Sequence, residues 1–334
     1  MWRHKIVHTD HISSIICLQI NYFTHLMKSL PQNWPQNFPY APWYLNAVSH
    51  EWDYITSQHK NGQITGILPF QIKKRMGFRL LTPPSLSPRL GPRLFYPAGL
   101  NAQQKQAFEW KTLTALEQQL PQVHYAQINW PYELGNGLAW QMLGWQQTVR
   151  YSYCINLNQD KTLIWNHFRN NVKRQIRKAR QLLTVNTSID TEQLWQLCQS
   201  SFQQRGKRPP LLEETLKSVT KAGLTQEKAI LFEARDQENR LHAMLFLLWD
   251  ERAAYYLLPF SDLQLRSSGA PSFLIWHAIL YAQSKGLKVF DFEGSQLPGI
   301  ESFFRSFGGE ARPYYQFTKT TKWLKIAKIL ISSK

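Results

Sequence analysis

The residues with the clearest chemical potential lie near the C-terminal end of this 334-residue chain. A short apolar run, 289–292, contains Asp291 and leads into Glu293, Gly294 and Ser295. Residues two positions apart on a strand point to the same side, so we predict that Asp291 and Glu293 face one cleft. Gly294 permits a tight turn and a close approach of the backbone to a substrate. Either carboxylate could then act as a general base, although a solvent-exposed strand end would have the same pattern.

A second feature is a basic segment, 160–185, which contains seven Lys or Arg residues and one acidic residue. Its apolar residues recur at helical spacing and predict one buried stripe on a helix over 161–183. The basic residues beside that stripe and on the solvent side include Arg174, Arg177 and Lys178. Such charges repel one another unless an anion is near. Two interpretations stay open: a solvated helix face, and a helix that contacts the phosphates of tRNA, a nucleotide-linked substrate or CoA.

The C-terminal tail has its own basic pattern. Lysines recur every three positions from Lys319 to Lys328, and Trp323 and Leu324 begin the apolar complement. A short basic amphipathic helix of this kind lies on an anionic membrane surface or packs on its own domain. Peripheral membrane contact through residues 320–334 is therefore one of two expectations for the tail.

Two further places could contact a substrate. Arg205 and Lys207 flank Gly206 in a short loop, where they are either ordinary loop charges or contacts for an anion. Tyr255 and Tyr256 are expected on opposite faces of a strand, so one of them faces the cleft and the other belongs to the core. Our candidate for the cleft is Tyr256.

Composition limits the function classes. The chain has 39 Lys and Arg against 22 Asp and Glu, a net charge of +17, and 43% hydrophobic residues. It is too apolar for a disordered chain and long enough for two domains of about 150–170 residues. Its three scattered cysteines and ten histidines lack metal-ligand spacing, which predicts neither a metal site nor a disulfide framework. The sequence shows no signal peptide or membrane span, which predicts a cytoplasmic protein.

Hydrophobic periodicity and turn residues predict the order of the elements. In the first half we expect helices and strands in the order helix 12–30, helix 44–50, strands 52–58 and 63–70, helix 102–120, and strands 124–129 and 146–157. In the second half we expect helices 161–183, 191–204 and 213–222, a meander of strands 229–235, 241–249 and 253–259, helix 271–285, strand 289–292, helix 298–307 and strand 313–318. The fold class is therefore α/β, with two similar units that each have a mixed, mostly antiparallel sheet flanked by helices.

The run from Phe290 to Gly309, together with the 205–207 loop and the basic helix, resembles the Fem-type peptidyltransferases. It is also similar to related, mostly uncharacterised bacterial acyltransferases with the Gcn5-related N-acetyltransferase (GNAT) fold, whose first domain resembles residues 40–93. The resemblance covers most of the chain. It implies tandem GNAT-like domains, 1–157 and 158–320, followed by the basic amphipathic tail 321–334.

The resemblance also implies an acyltransferase. Fem-type members move an amino acid from aminoacyl-tRNA to the stem-peptide amine of a peptidoglycan precursor, with no metal and no required covalent enzyme intermediate. A positioned amine attacks an activated acyl ester, and the protein contributes orientation, proton handling and oxyanion stabilisation. The donor is thus expected to be acyl-CoA or aminoacyl-tRNA, the acceptor an amine, and no cofactor is expected to stay bound.

Two residue roles come from the family pattern alone. The family has a basic residue before the terminal Phe-Gly of the last helix, which implies Arg305, although alignment on Phe307 places the family's lysine at Phe304. The family's pyrophosphate loop is met in part by the run Arg266-Ser-Ser-Gly269-Ala270-Pro271, which implies donor contacts at Arg266 and Gly269.

Three functions compete at this point: an acyl or aminoacyl transferase of cell-envelope or peptidoglycan precursors, a CoA-dependent N-acyltransferase of a small amine or amino sugar, and a non-catalytic GNAT-like binding module. We expect the protein in the cytoplasm, with peripheral contact at the inner membrane face if the tail binds lipid. The candidate site residues are, for catalysis, Asp291, Glu293 and Arg305; for substrate binding, Arg205, Lys207, Tyr256, Gly294 and Ser295; and for the donor phosphates, Arg174, Arg177, Lys178, Arg266 and Gly269.

Overall fold

A computed structural model of the chain describes residues 29–294, 298–321 and 323–324. The chain divides into two compact units, Met1–Pro35 and Gln36–Lys334, and every element below belongs to the second. In the described part of the first unit, the Trp34 backbone N–H donates to the Pro31 carbonyl oxygen at 2.9 Å and closes a turn. The helix predicted at 12–30 and the amphipathic tail lie almost wholly outside the described residues.

The described strands number twelve and form one sheet. In chain order they are β1 Trp52–Gln58, β2 Ile64–Arg75, β3 Phe78–Thr82, β4 Arg93–Leu94, β5 Tyr125–Asn129, β6 Gln146–Asn156, β7 Leu183–Ser188, β8 Ala229–Asp236, β9 Leu241–Trp249, β10 Ala253–Ser261, β11 Val289–Asp291 and β12 Glu310–Thr320. The strands lie side by side in the order β1-β2-β3-β5-β12-β6-β11-β10-β9-β8-β7, and β4 pairs with β2.

Helices cover both faces of the sheet. They are α1 Pro42–Val48, α2 Ala102–Gln118, α3 Leu138–Met142, α4 Lys161–His167, α5 Asn170–Leu182, α6 Thr191–Gln203, α7 Glu213–Thr225, α8 Ala270–Ser284 and α9 Pro298–Arg305. A mixed sheet flanked by helices confirms the α/β fold class. The boundary between two domains at 157–158 stays a prediction.

Strand β12 links the two halves of the sequence. It is the last of the described strands in chain order, yet it runs antiparallel to β5 on one side and to β6 on the other. Strand β6 in turn pairs with β11, which belongs to the second half. The sheet is therefore continuous from β1 to β7.

Alternation along the strands separates two cores in the second half of the sheet. Tyr256, Phe290 and Phe292 point to the face covered by α5, α8 and α9. Tyr255 points to the opposite face, where α1, α6 and α7 pack. Residues paired across β10 and β11 share a face, so Asp291, which pairs with Tyr255, lies on that opposite face.

The basic helix differs from its prediction. The expected single helix over 161–183 is broken at Phe168 and Arg169, whose ψ angles of 140° and 151° are extended. The Arg169 backbone N–H donates to the Ser306 carbonyl oxygen at 2.9 Å, so a tertiary hydrogen bond satisfies the interrupted turn. The apolar stripe survives the break, because Phe168, Val172 and Ile176 are all buried.

Short elements account for most of the remaining differences. We predicted that the first hairpin ends at residue 70, whereas β2 continues to Arg75 and turns into β3. We did not predict β4, β7 or the five-residue helix α3. Exposed charged residues at the end of β2 hide strand periodicity, because pairing with a neighbour rather than burial holds the strand there.

Candidate active site

The two predicted carboxylates meet at a buried arginine. The Arg89 Nη2 atom lies 3.0 Å from Asp291 Oδ2 and also bonds Glu293 Oε1. All three side chains are at least nine-tenths buried, with 7%, 2% and 9% exposure for Arg89, Asp291 and Glu293. Two buried anions held by one buried cation make an uncommon arrangement, because each unpaired charge would carry a large desolvation cost.

Asp291 is fully occupied as a hydrogen-bond acceptor. Ser152 Oγ donates to it at 2.6 Å, the Tyr132 hydroxyl at 2.9 Å and the Glu293 backbone N–H at 2.8 Å. With the contact to Arg89, Asp291 has four polar partners. Its geometry suits a residue that positions Arg89 and Glu293.

Glu293 has a different environment. Its Oε2 atom is buried and has no hydrogen-bond partner among the described residues. Burial raises the pKa of Glu293 to about 7, against the opposing pull of Arg89, and the nearby Asp291 charge raises it further. A carboxyl group with a pKa near neutrality and one unused oxygen can accept a proton at physiological pH.

Strand alternation alone does not bring Glu293 to this point. Strand β11 ends at Asp291, and Glu293 has a left-handed φ of 60°. Gly294 follows with a φ of 77°, and a Cβ atom there would overlap the Tyr151 carbonyl oxygen. The predicted turn is thus present, and Ser295 lies outside the described residues.

Sequence reasoning missed Arg89, Tyr132 and Ser152. Arg89 is 204 positions from Glu293 in the chain, in a Pro-rich loop. A buried arginine in a loop leaves no periodic pattern. The one available signal was that an isolated basic residue stands among Pro, Ser and Leu in residues 83–92.

A polar cavity of about 310 Å³ opens beside Arg89 and Asp291, on the face that carries Tyr255. We call it the arginine cavity. Arg93, Arg312, Tyr132 and Glu133 also line it, together with residues 37–40 and 250–253. Because four arginines, the three named and Arg252, line so small a volume, the cavity is suited to an anionic group.

A second opening lies where two strands of the sheet diverge. Strands β10 and β11 pair only at Ala253–Tyr255 with Val289–Asp291, and β10 then continues to Ser261 paired with β9 alone. The β9–β10 register also shifts by one residue at Leu257. An apolar groove of about 470 Å³ lies along this last part of β10. Its lining residues come from both faces of the sheet and include Leu86, Phe202, Arg205, Tyr256, Leu274, Phe303 and Phe304.

The residue that follows β11 packs on this groove. The Phe292 ring lies 4.7 Å from the Phe304 ring and 5.6 Å from the Tyr256 ring, both of which line the groove. Glu293 is the next residue in the chain. On the other face, the Tyr44 hydroxyl donates to the carbonyl oxygen of Leu86 at 2.5 Å. Burial raises the pKa of Tyr44, and the Glu293 charge raises it further.

The groove leads to the start of helix α8. A neighbouring cleft of about 400 Å³ is lined by Arg266, Ser267, Gly269 and Gln175, and it shares Pro271 and Phe303 with the groove. Gly269 has a φ of 81°, and a Cβ atom there would lie 2.6 Å from the Gln175 carbonyl oxygen. Glycine is therefore required for the close packing of the 266–269 loop on α5.

The basic helix and this loop are direct neighbours. Lys178 Nζ donates to the Ser267 carbonyl oxygen at 2.8 Å, and Ser272 Oγ donates to Gln175 Oε1 at 2.7 Å. Arg174 is exposed and lies one turn before Lys178 on α5. The structure thus brings Lys178, Arg266 and Gly269 together at the N-terminus of α8, where helical N–H groups favour an anion.

The remaining candidates lie apart from that loop or have other partners. Arg177 is exposed, with its guanidinium carbon 5.9 Å from the centre of the Trp165 ring. Arg205 lines the groove and donates to Ser201 Oγ at 3.3 Å, whereas Lys207 is exposed. Arg305, with a half-exposed side chain, pairs with Glu301 at 2.8 Å.

Tyr256 is buried and lines the apolar groove, not the arginine cavity. Tyr255 lines the arginine cavity, and its hydroxyl donates to Asp250 Oδ2 at 2.8 Å. Each tyrosine therefore faces its own opening, because the two side chains point to opposite faces of β10.

Neither a metal site nor a membrane-spanning helix is found among the described residues. Over 29–294, 298–321 and 323–324, no group of three or more His, Cys, Asp or Glu side chains could hold a metal ion. In the same ranges no helix is both long and apolar enough to cross a membrane.

Comparisons with known proteins agree with this arrangement. Residues 166–305 match the family model of the acetyltransferase (GNAT) domain. The crystal structure of FemX is similar to the chain with a TM-score of 0.59 and 14% identity, and the alignment covers 94% of this chain and 97% of that one. No curated protein matches the sequence.

Two further structures extend the likeness. A conserved protein of unknown function from Bacteroides thetaiotaomicron has a TM-score of 0.52 and 9% identity, covering 91% of this chain and 97% of its own. The C-terminal domain of a putative lysylphosphatidylglycerol synthetase from Agrobacterium fabrum has a TM-score of 0.51 and 12% identity, covering 83% and 87%. At these identities the likeness concerns the fold.

Proposed function

We propose that this chain, whose residues 166–305 match a GNAT acetyltransferase domain, transfers an activated acyl group from a phosphate-bearing donor to an amine. The observation that carries the proposal is the position of Glu293. It is buried in the turn after β11, directly after Phe292, whose ring packs on Tyr256 and Phe304 of the apolar groove. The groove leads on to the N-terminus of α8.

The donor's phosphate end fits the start of α8. Helix α8 has no side-chain cap at Gly269. The Ala270 N–H donates to Ser268 Oγ at 3.3 Å and Pro271 has no N–H, so the Ser272 N–H is the first-turn group that an acceptor could use. Lys178 and Arg266 add positive charge beside it. A phosphate here gains both the helix dipole and charge-assisted hydrogen bonds. Arg174 and Arg177 are further basic residues of α5 that we assign to a longer phosphate-bearing donor.

The acyl end of the donor fits the groove. Apolar side chains from β10, α8 and α9 line it, and the shifted register at Leu257 interrupts the regular hydrogen bonding of β10. Backbone groups freed by a bulge can bind a carbonyl oxygen. We assign Tyr256 and Arg205 to this groove as substrate contacts. Lys207 stays a predicted substrate contact, as does Ser295, which lies outside the described residues.

Glu293 is our choice for the general base. The neutral amine of the acceptor attacks the acyl carbonyl carbon, and a C–N bond forms. The C–O bond of an aminoacyl ester, or the C–S bond of a thioester, then breaks. Glu293 accepts the proton that the amine loses, and the leaving oxygen or sulfur takes up a proton. Asp291 and Arg89 hold Glu293 in place, and Arg305 is proposed to stabilise developing negative charge.

Two versions of this function differ in the donor, which is either aminoacyl-tRNA or acyl-CoA. Fold similarity to FemX supports an aminoacyl donor and an acceptor from cell-envelope metabolism. The match to an acetyltransferase domain supports acyl-CoA and a small amine. Both donors carry phosphate, so both are compatible with the cleft at α8.

A binding experiment distinguishes the donors. Calorimetric titrations with acetyl-CoA and with aminoacyl-tRNA are run on the natural protein and on the double variant Lys178→Glu, Arg266→Glu. We expect one donor to bind, and the double variant to bind it at least tenfold more weakly. For tRNA the binding should also weaken steeply with salt, because each phosphate contact releases counterions.

Lys111→Glu is the control, because Lys111 is an exposed lysine on α2. If the control variant and the double variant weaken donor binding equally, general charge and not the α8 cleft binds the donor. If neither donor binds the natural protein, the proposed function is wrong.

A further inference from the structure

The arginine cavity has a buried donor group without a partner. Arg89 uses Nη2 for Asp291 and Glu293, but its Nη1 atom is buried and has no hydrogen-bond partner among the described residues. A buried donor left unbonded loses its hydration with no compensating hydrogen bond, which destabilises the protein. Since Arg89 lines the cavity, a ligand in the cavity could supply that hydrogen bond.

The other three arginines of the cavity form no ion pair. Arg93, Arg252 and Arg312 pair with no carboxylate in the described part of the chain, whereas Arg89 pairs with two. The Tyr132 ring contacts two of the four guanidinium groups. Its centre lies 4.5 Å from the Arg89 Cζ atom and 4.1 Å from the Arg312 Cζ atom. Cation–π contacts with one ring hold these two groups in place.

The carboxylates of the cavity do not neutralise these arginines. Asp291 has four donors, and Asp250 accepts from two backbone N–H groups and from the Tyr255 hydroxyl. The other two acids, Glu133 and Glu251, are exposed. The interior of the cavity therefore offers cationic donors, and the free acids lie at its rim.

We propose that the arginine cavity binds an oxyanion, a carboxylate or a phosphate, carried by the amine acceptor. Planar guanidinium groups match both anions through paired N–H donors. The cavity and Glu293 share Arg89, so a molecule anchored there extends toward the base. The acceptor is then an amine that also carries an acid group. Its identity as the acceptor rests on the proposed function, whereas the anion site does not.

Anion titrations test the site without any need for turnover. Inorganic phosphate and acetate are titrated by calorimetry at constant ionic strength, into the natural protein and into the double variant Arg93→Gln, Arg312→Gln. We expect one or both anions to bind the natural protein and the double variant to bind at least tenfold more weakly. Preference for phosphate or for acetate tells which oxyanion the acceptor carries.

The control is Arg79→Gln, which removes an exposed arginine on β3. Circular dichroism confirms that each variant is folded. No binding of either anion to the natural protein, or equal binding by the natural protein and the double variant, overturns the proposal. Anion binding without acyl transfer would leave the site in place and contradict only the proposed function.

Discussion

At the scale of single residues, Asp291 and Glu293 contact the same arginine, Arg89, but differ in their other partners. Asp291 receives four donors and Glu293 keeps an oxygen without a partner, although both carboxylates bond the same guanidinium. Two carboxylates in different environments can have different roles, one positioning its neighbours and the other able to exchange a proton. The spacing of Asp291 and Glu293 predicted that they would act together. It could not predict Arg89, because a contact over 204 positions leaves no trace in local sequence.

The raised pKa of Glu293 has a measurable consequence for stability. Its pKa is about 7 in the folded protein, against an ordinary value of 4.5. Below pH 4.5 the group is protonated in both states, and above pH 7 it is ionised in both. Between these values the folded state holds more protons, so stability falls as pH rises. The loss is on the order of 3 kcal/mol.

Denaturant unfolding of the natural protein and of Glu293→Gln, from pH 4 to pH 8, measures this effect. We expect the difference in unfolding free energy between the two proteins to shift against the natural protein through this window and then to level off. A difference that stays constant with pH would mean that folding does not raise the pKa of Glu293.

At the scale of elements, helix α8 is bounded by two glycines with left-handed backbones. Gly269 precedes it with a φ of 81°, and Gly286 follows it with a φ of 73°. A Cβ atom at Gly269 would press on the Gln175 carbonyl oxygen at 2.6 Å, whereas none of the described atoms lies within 4 Å of one at Gly286. The two positions share the strain of a positive φ and differ in close packing.

Alanine at each position separates these effects. Gly286→Ala should lower the free energy of unfolding by about 1 kcal/mol, through strain alone. Gly269→Ala should lower it further and should also weaken donor binding, because the 266–269 loop has to move away from α5. Thermal unfolding and donor titration check both variants. Equal effects of the two substitutions would mean that the loop accommodates a side chain without moving.

Periodicity predicted most elements around the site, and its failures have physical reasons. The meander over β8, β9 and β10 and the helix α8 were expected close to their observed bounds. The break between α4 and α5 was not expected, because the apolar stripe continues through Phe168 and masks the break. The hydrogen bond from Arg169 to Ser306 stabilises the break, and that contact is tertiary.

At the scale of the whole molecule, the continuous sheet has a consequence for unfolding. Strand β12 bridges β5 and β6, and its Phe317 is fully buried. The Phe317 ring lies 4.4 Å from the Trp130 ring and 5.5 Å from the Trp140 ring. The two halves of the sequence should therefore unfold together.

Phe317→Ala tests this cooperativity. The cavity left by the ring should cost about 3–5 kcal/mol. Tryptophan fluorescence and far-UV circular dichroism should report one coincident transition at lower denaturant concentration. Val149→Ala, at an exposed position of β6, is the control and should change little. Two separate transitions in Phe317→Ala would show that the halves are independent.

At this scale, part of the net charge of +17 is concentrated at two separate sites. As a total it favoured a polyanionic partner. In the structure, Lys178 and Arg266 gather at the start of α8, and Arg89, Arg93 and Arg312 gather in a separate cavity on the other face of the sheet. Two separated cationic sites suit a reaction with two anionic substrates, which the sequence did not suggest.

The central claim is that Glu293 accepts the proton of the acceptor amine. The most direct measurement is single-turnover acyl transfer by Glu293→Gln at saturating donor, with Glu51→Gln, an exposed acid, as the control. We expect the single-turnover rate of Glu293→Gln to be at least 100-fold lower than that of the natural protein, with unchanged donor affinity. The control should transfer at the rate of the natural protein. Transfer by Glu293→Gln at the natural rate would contradict the central claim.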